Sequence, residues 1–521
     1  MEHRDNHIHP DVAPPPAPDA RERHPGARRR TSEPVAPEPP GSLLIDGLLR
    51  LARGGRDYPV LDPATGQEFA RCPDASAADA DEAVRAARRA FDDTVWRNNP
   101  GLRSECLRRL LVVLDQHREK LRDLLVREAG VPIRLTRSVQ LDGAFADVAW
   151  ICDLLDRYPW HQRLPDRSFH SFPSRRTQHD EAIGVAALLT PANFPLTLML
   201  RMLFLALAAG NTVVLKPSPH VPLVALTVAR LAAESGEFPP GVLNVLTAAD
   251  PVRIGLMLAG HELIDLVGLT GSTPTGRQIA RAAAPTLKRT VLHLGGHGAH
   301  IVLNDAHPEV AAASGARVCF HAGQACSLFK RLLVPRHLYR DAVDLAREAM
   351  AAVPFGDPRD PVVTMGPLVS AALRDRVLEV RDRVVRAGGQ VHYSGGAPDN
   401  CSRGYFVPPT LITGLPADAH LARHELPGPM LLLQPYDTEA EAITMANAPP
   451  YGLSAAISSG SVDRARSVAA RLRVGAIMVN DGLPYGPDAP YVALRQSGNG
   501  HNGGEAALRD YLVTKVIGYP G

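Results

Sequence analysis

The sequence predicts an α/β protein organised around a parallel sheet with helices on both faces. Three observations carry this. Four short apolar runs, "IGVAALLTP", "NTVVLKP", "GVLNVLT" and "LIDLVGLTG", follow one another from Ala182 onward and read as buried strands. Helical stretches separate them at Leu196–Ala208, Leu223–Ser235 and Asp250–Leu258. The same alternation resumes from about Ala299 to Asn480. Strands buried on both faces and joined by helices imply parallel order. Open sheets of this kind bind ligands beyond the carboxyl ends of their strands, so a nucleotide-binding domain is the first expectation.

The remaining elements follow in chain order. Residues 1–40 are crowded with proline, arginine and histidine and hold almost no large apolar side chains, the composition of a disordered tail. This stretch also lacks the apolar core of a signal peptide. From Leu43 to Phe69, apolar stretches alternate with Gly, Asp-Pro and Thr-Gly turns, which predicts short β-hairpins. Ala77–Phe91 reads as an amphipathic helix with Ala83, Val84, Ala87, Ala90 and Phe91 on one face. A second helix is expected over Leu102–Ala129, with more helix through Trp150. The end of the chain carries a glycine-rich turn, a helix and a final strand-like run.

Bulk composition narrows the function. The chain has 521 residues, 45% of them hydrophobic, enough for more than one domain. A net charge of +2 gives no electrostatic case for nucleic acid or a membrane surface as partner. The longest apolar run, Leu196–Ala209, is too short to span a bilayer and contains Arg201. Cysteines at 72, 106, 152, 319, 326 and 401 show no CxxC spacing, which fits a reducing, cytoplasmic location.

Three features could carry chemistry. Thr270-Gly271-Ser272-Thr273-Pro274-Thr275-Gly276-Arg277 follows a strand and opens a helix, where amide donors and the dipole favour a phosphate. Lys216 ends a strand at the ligand-facing edge of the sheet and can hold a ribose hydroxyl or phosphate. Cys326 in "AGQACS" follows the helical "SGARVCFH", and a thiolate near helix amides is an activated nucleophile. Each alone also reads as an ordinary turn, a surface lysine or a small buried hydrophobe.

Their order is more specific. "LLTPANFP", "AAGNTVVLKPS", "FPPGVLNVLT", "LTGSTPTGRQIA", "HLGGHGAHIVL", "HAGQACS", "GDPRDPVVTMGPL", "GYFVPPTLI", "HELPGPML" and "ANAPPYGLSAAI" occur in sequence. Together they resemble the aldehyde dehydrogenase superfamily from about Leu43 to the C-terminus. The resemblance implies a Rossmann-type cofactor domain (41–160 and 180–293), an α/β catalytic domain (294–487) and a small oligomerisation element (161–179 and 488–521). It implies a homodimer or homotetramer acting on a small-molecule aldehyde with NAD or NADP. Cys326 matches the nucleophile, which forms a thiohemiacetal and then a thioester. Asn193 matches the oxyanion donor, together with the backbone N–H of Cys326. Lys216, Gly271, Ser272 and Gly276 match cofactor-binding positions, and Glu425 matches the carboxylate that holds the nicotinamide ribose.

The departures from the pattern are equally specific. The family's "ELGGK" reads His293-Leu294-Gly295-Gly296-His297, so the usual general-base glutamate is His293. An imidazole can take that task, or His293 is a non-catalytic substitute. Transfer of the acyl group to coenzyme A, or impaired turnover in a cofactor-binding member, are the alternatives to hydrolysis. Pro219 replaces the glutamate of "KPSE", which leaves the choice between NAD and NADP open. Pro427 replaces a phenylalanine, and Ala192 a tryptophan. His293, His297 and His300 do not share a helical face, so no metal is expected. Asn193, Thr197 and Arg201 would share a face if helix begins there, placing Arg201 about 12 Å from the oxyanion residue. There it could meet a polar group of the substrate or form a salt bridge in the channel wall.

Overall fold

The structure is a computed structural model that describes residues 41–170, 172–394 and 401–520. The expected tail, residues 1–40, lies outside the described residues. The first sheet has seven strands in the order Arg289–His293, Leu266–Thr270, Val185–Leu189, Thr212–Lys216, Leu243–Val245, Leu43–Ile45 and Leu48–Arg50. The first five run parallel, and the hairpin of Leu43–Ile45 with Leu48–Arg50 adds to the edge antiparallel. All five residues of Val185–Leu189 are buried because successive side chains face opposite layers. Ala186 and Leu188 join the core with the helices Pro195–Ala208 and Pro222–Ser235. Val185, Ala187 and Leu189 join the opposite core, under the helices Ala77–Asp93 and Arg253–Gly260. The covered parallel sheet is as expected.

A second seven-stranded sheet runs Gln390–Ser394, Thr410–Thr413, Met430–Tyr436, Arg331–Pro335, Ala299–Val302, Ser454–Ser458 and Ala476–Val479. It is parallel except for its Gln390–Ser394 edge. A separate antiparallel sheet joins Leu512–Pro520, Phe172–Ala182 and His161–Phe169. The helix expected over Leu102–Ala129 is two helices, Pro100–Gln116 and Arg118–Ala129. The break falls at His117, whose φ of −104° and ψ of 17° leave the helical region. The apolar period continues across it at Leu114 and Leu121, which is why the sequence reads as one helix.

Asn211 ties the first sheet to the C-terminal segment. Its Oδ1 accepts from the Gly184 amide at 3.0 Å, while Nδ2 donates to the carbonyls of Ala206 at 3.1 Å and Tyr511 at 3.0 Å. The side chain is completely buried, so its removal would orphan the Gly184 amide and the Tyr511 carbonyl, while the Ala206 carbonyl keeps the Asn211 backbone amide. Asn211→Ala is expected to lower stability by about 3 kcal/mol or more, read as a shift in the urea midpoint with unchanged slope. A shift corresponding to less than about 0.5 kcal/mol would show that these groups find other partners.

Candidate active site

The segment His293–His297 is where the site assembles. Strand Arg289–His293 pairs in parallel with Leu266–Thr270 and ends with His293 beside Thr270. The Gly271 amide donates to the His293 carbonyl at 3.0 Å, which sets the phosphate-type loop against this strand end. Beyond the strand, the Leu294 amide donates to the Ser497 carbonyl at 2.8 Å and Ser497 Oγ to the Gly295 carbonyl at 2.8 Å. A Cβ on Gly295 would stand 2.3 Å from Oε2 of Glu425. One on Gly296 would stand 2.9 Å from the carbonyl oxygen of Cys326. Two successive residues without side chains thus let the loops bearing Glu425 and Cys326 close onto the end of the strand.

Cys326 is half-buried, whereas Cys72, Cys106, Cys152, Cys319 and Cys401 are buried. The helix before it, Val310–Val318, stops short of Cys326. His321 (φ 48°), Ala322 (φ 51°) and Gly323 (φ 72°) follow in left-handed conformation. The last must be glycine, because a Cβ there would lie 2.0 Å from the Gly428 carbonyl oxygen. Activation by helix amides, expected from the sequence, is therefore not built: no helix begins at Cys326. Surrounding protein pushes the thiol up to about 11, and the Glu425 charge pushes the same way. The amides of Cys326 and Ser327 and the Arg201 charge oppose that shift.

Asn193 meets this turn twice. Its Nδ2 donates to the Gln324 carbonyl at 2.7 Å, using one of the two amide protons. Its own carbonyl accepts from Gln140 Nε2 at 2.9 Å and from His321 Nε2 at 2.8 Å. Helix Pro195–Ala208 starts after Asn193, so the shared helical face expected for Asn193, Thr197 and Arg201 holds only for the last two. Thr197 Oγ1 donates to the Val139 carbonyl at 2.7 Å. Arg201 forms an ion pair with Asp147 and donates to Asn502 Oδ1 at 2.9 Å. A salt bridge in the wall, the second of the two sequence readings, is what the geometry contains.

His293 Nε2 lies 3.0 Å from the His501 carbonyl oxygen. A carbonyl only accepts, so Nε2 carries the proton and Nδ1 keeps the lone pair. Burial lowers this imidazole to about 4, with the Arg201 and His501 charges adding to the effect and the bond to His501 opposing it. The histidines that follow serve elsewhere. His297 Nε2 meets the Ala422 carbonyl at 3.2 Å, and His300 bonds Ser314 and Ser458 at 2.8 and 2.9 Å. Among the described residues no group of three or more His, Cys, Asp or Glu could hold a metal ion.

The cofactor-type residues line the first sheet's carboxyl edge. Lys216 is buried at the end of Thr212–Lys216, where burial lowers its ammonium to about 8. Only one Nζ bond is made there, to the Pro217 carbonyl at 3.0 Å, and an ammonium has three protons to give. Ser272 caps helix Thr273–Ala283 by accepting from the Thr275 amide at 3.3 Å. Gly276 has a packing duty: a Cβ there would be 2.5 Å from Leu294, so its absence seats the helix on the strand end. Glu425 is an exposed residue, and the protein packed around its carboxylate raises its pKa. A charged, partly unengaged lysine, a capped helix start and an open carboxylate over Gly295 fit a dinucleotide.

Sequence reasoning missed Gln140, His321, Gln324 and Lys330. Only Lys330 left a signal: with Arg331 it is one of two cations inside the otherwise apolar run from Leu328 to Val334. The two glycines should respond differently to a methyl group. Gly295→Ala meets the flexible end of Glu425 and is expected to cost under about 1 kcal/mol while weakening cofactor binding. Gly296→Ala meets the Cys326 backbone and Leu453, and should cost about 1–3 kcal/mol in urea unfolding. Equal stability losses would contradict the assignment of these contacts.

Comparison with known proteins agrees with this geometry. Residues 51–517 match the model of the aldehyde dehydrogenase family. The chain is 36% identical over 484 residues to 3-succinoylsemialdehyde-pyridine dehydrogenase of Pseudomonas sp, covering 92% of this chain and 98% of the relative. It is 32% identical over 479 residues to human (Homo sapiens) retinal dehydrogenase 2, covering 91% of each. Among solved structures, a mutant of aldehyde dehydrogenase C from Pseudomonas syringae with NAD+ and octanal superposes with a TM-score of 0.85. That pair is 34% identical, with 92% of this chain and 96% of that one covered. Betaine aldehyde dehydrogenase from Staphylococcus aureus with NAD+ gives a TM-score of 0.88 at 29% identity, with 92% and 94% covered. The chain belongs to the aldehyde dehydrogenase family and is an oxidoreductase that oxidises aldehydes with NAD or NADP as acceptor.

Proposed function

We propose that this enzyme converts its aldehyde to a carboxylic acid through a covalent intermediate on Cys326. The observation that carries this is the double tie of Asn193 to the turn preceding Cys326. Cys326 Sγ attacks the carbonyl carbon, the C=O π pair moves onto oxygen, and the thiol proton passes to solvent as the sulfur–carbon bond forms. The second N–H of Asn193 and the Cys326 amide receive the developing oxyanion. NAD or NADP, when bound, would accept the hydride whose departure from that carbon, as the oxyanion collapses, leaves the thioester on Cys326. Lys216, Gly271, Ser272 and Glu425 hold it, and Gly276 keeps the helix seated beside it. Water then attacks the thioester on Cys326, His293 takes the water's proton at Nδ1, and the acid and free thiol are released.

The three sheets support a division of labour. We assign 41–160 and 180–293 to the cofactor domain, 294–487 to the catalytic domain, and 161–179 with 488–521 to oligomerisation. Strand Leu512–Pro520 exposes Val513, Val516, Ile517 and Tyr519 at the edge of its sheet, a surface suited to a second subunit. Arg201 belongs to the channel wall, since Asp147 and Asn502 engage it. Cysteine usage supports a cytoplasmic location.

The base assignment carries a pH signature. Burial depresses His293 from its ordinary 6.5 to about 4, so it is neutral, and able to accept a proton, at all higher pH. Hydrolysis should therefore lose rate as pH falls through about 4, with no inflection near 6.5. His293→Ala should lower steady-state turnover by about 100-fold while leaving one rapid turnover of cofactor reduction. A full steady-state rate in this variant would remove His293 from the mechanism.

A further inference from the structure

Lys330 is a buried cation that the mechanism above does not use. It stands at the head of strand Arg331–Pro335, four residues beyond Cys326, and is 5% exposed. Its Nζ donates to the carbonyls of Leu426 at 2.6 Å and Gly428 at 2.9 Å, not to a carboxylate. An ammonium taken from water is costly unless its surroundings compensate it, so a lysine here calls for a reason.

The reason lies in what it joins. Leu426 and Gly428 belong to the loop that presents Glu425 against Gly295. Gly428 takes a left-handed φ of 62°, and its carbonyl lies under Gly323, in the turn that leads to Cys326. The same carbonyl thus receives Lys330 Nζ on one side and the bare Cα of Gly323 on the other. Burial raises Glu425 and lowers Lys330 to about 8; the two charges oppose these shifts in each other, and Cys326 opposes that of Lys330. One side chain links the carboxylate loop to the nucleophile turn.

We propose that Lys330 is a positioning residue: it fixes the Leu426–Gly428 loop so that the Glu425 carboxylate is held for the ribose hydroxyls of the nicotinamide cofactor. This rests on the assignment of Glu425 to that ribose. Lys330 itself touches neither cofactor nor substrate.

The test is NAD+ binding by isothermal titration to the full-length wild type, Lys330→Met, Glu425→Gln and the double variant. Both single variants should weaken binding by about tenfold, and the double variant by little more than the worse single one, because they break one unit. In steady state, Lys330→Met should raise KM for NAD+ by a similar factor with kcat within about threefold, a split that general loosening of the fold would not give. Wild-type affinity in Lys330→Met, or losses that multiply in the double variant, would overturn the proposal. Wild-type affinity in Glu425→Gln alone would overturn the ribose assignment, and this proposal with it. If Lys330→Met does not fold, Lys330→Gln, which retains a donor for one carbonyl, takes its place with the same expected loss and non-additivity.

Discussion

The active site depends on two absent side chains. Gly295 and Gly296 leave the end of strand Arg289–His293 bare, and the Glu425 carboxylate and the Cys326 carbonyl occupy the space. This close approach puts three loops, from both large sheets, within reach of a single substrate. Hydrogen bonds then fix what the glycines permit: Ser497 holds the Gly295 carbonyl, His501 holds His293, and Gln324 holds Asn193. The left-handed turn at His321–Gly323 belongs to the same design, since it brings Gln324 to Asn193 while its glycine packs beneath the Gly428 carbonyl. Strain of this kind persists only where surrounding contacts over-determine it, and here those contacts come from both sheets.

Electrostatics gives the site a consistent character. Burial favours the neutral form of the Cys326 thiol, raised to about 11, and of the His293 imidazole, lowered to about 4. The resting site therefore holds no thiolate–imidazolium pair at neutral pH. Glu425 raises the thiol further, while Arg201 lowers both groups. An imidazole near 4 has a basicity close to that of an ordinary carboxylate, which is what the proposed role of His293 as base requires.

Much of this was legible in the sequence. The first sheet's strands are apolar runs of the right length between helices, so hydrophobic pattern alone places them. Cys326, Asn193, Lys216 and Glu425 sit in motifs whose order is specific; the structure brings the segments of Asn193, Cys326 and Glu425 together around Gly295 and Gly296, while Lys216 stands at the end of its own strand. The break at His117 was illegible because apolar spacing continues through it. Helix Pro195–Ala208 was placed within one residue, at Leu196, and only the conditional extension of its face to Asn193 fails, since Asn193 has the spacing without the helical backbone. Gln140, His321 and Lys330 act through bonds to backbone carbonyls distant in sequence, and a carbonyl leaves no trace in residue identity. The state of Cys326 was misread for the same reason: its environment is made by tertiary packing, not by the local helix pattern.

The central claim is that the acyl group passes through Cys326. The most direct measurement is peptide mass analysis of full-length His293→Ala mixed with NAD+ and an aldehyde that supports cofactor reduction by the wild type, quenched in acid after one turnover. One acyl group per reduced cofactor, confined to the peptide containing Cys326 and released by hydroxylamine, is expected. Reduced cofactor without an adduct, or an adduct on another residue, would contradict it.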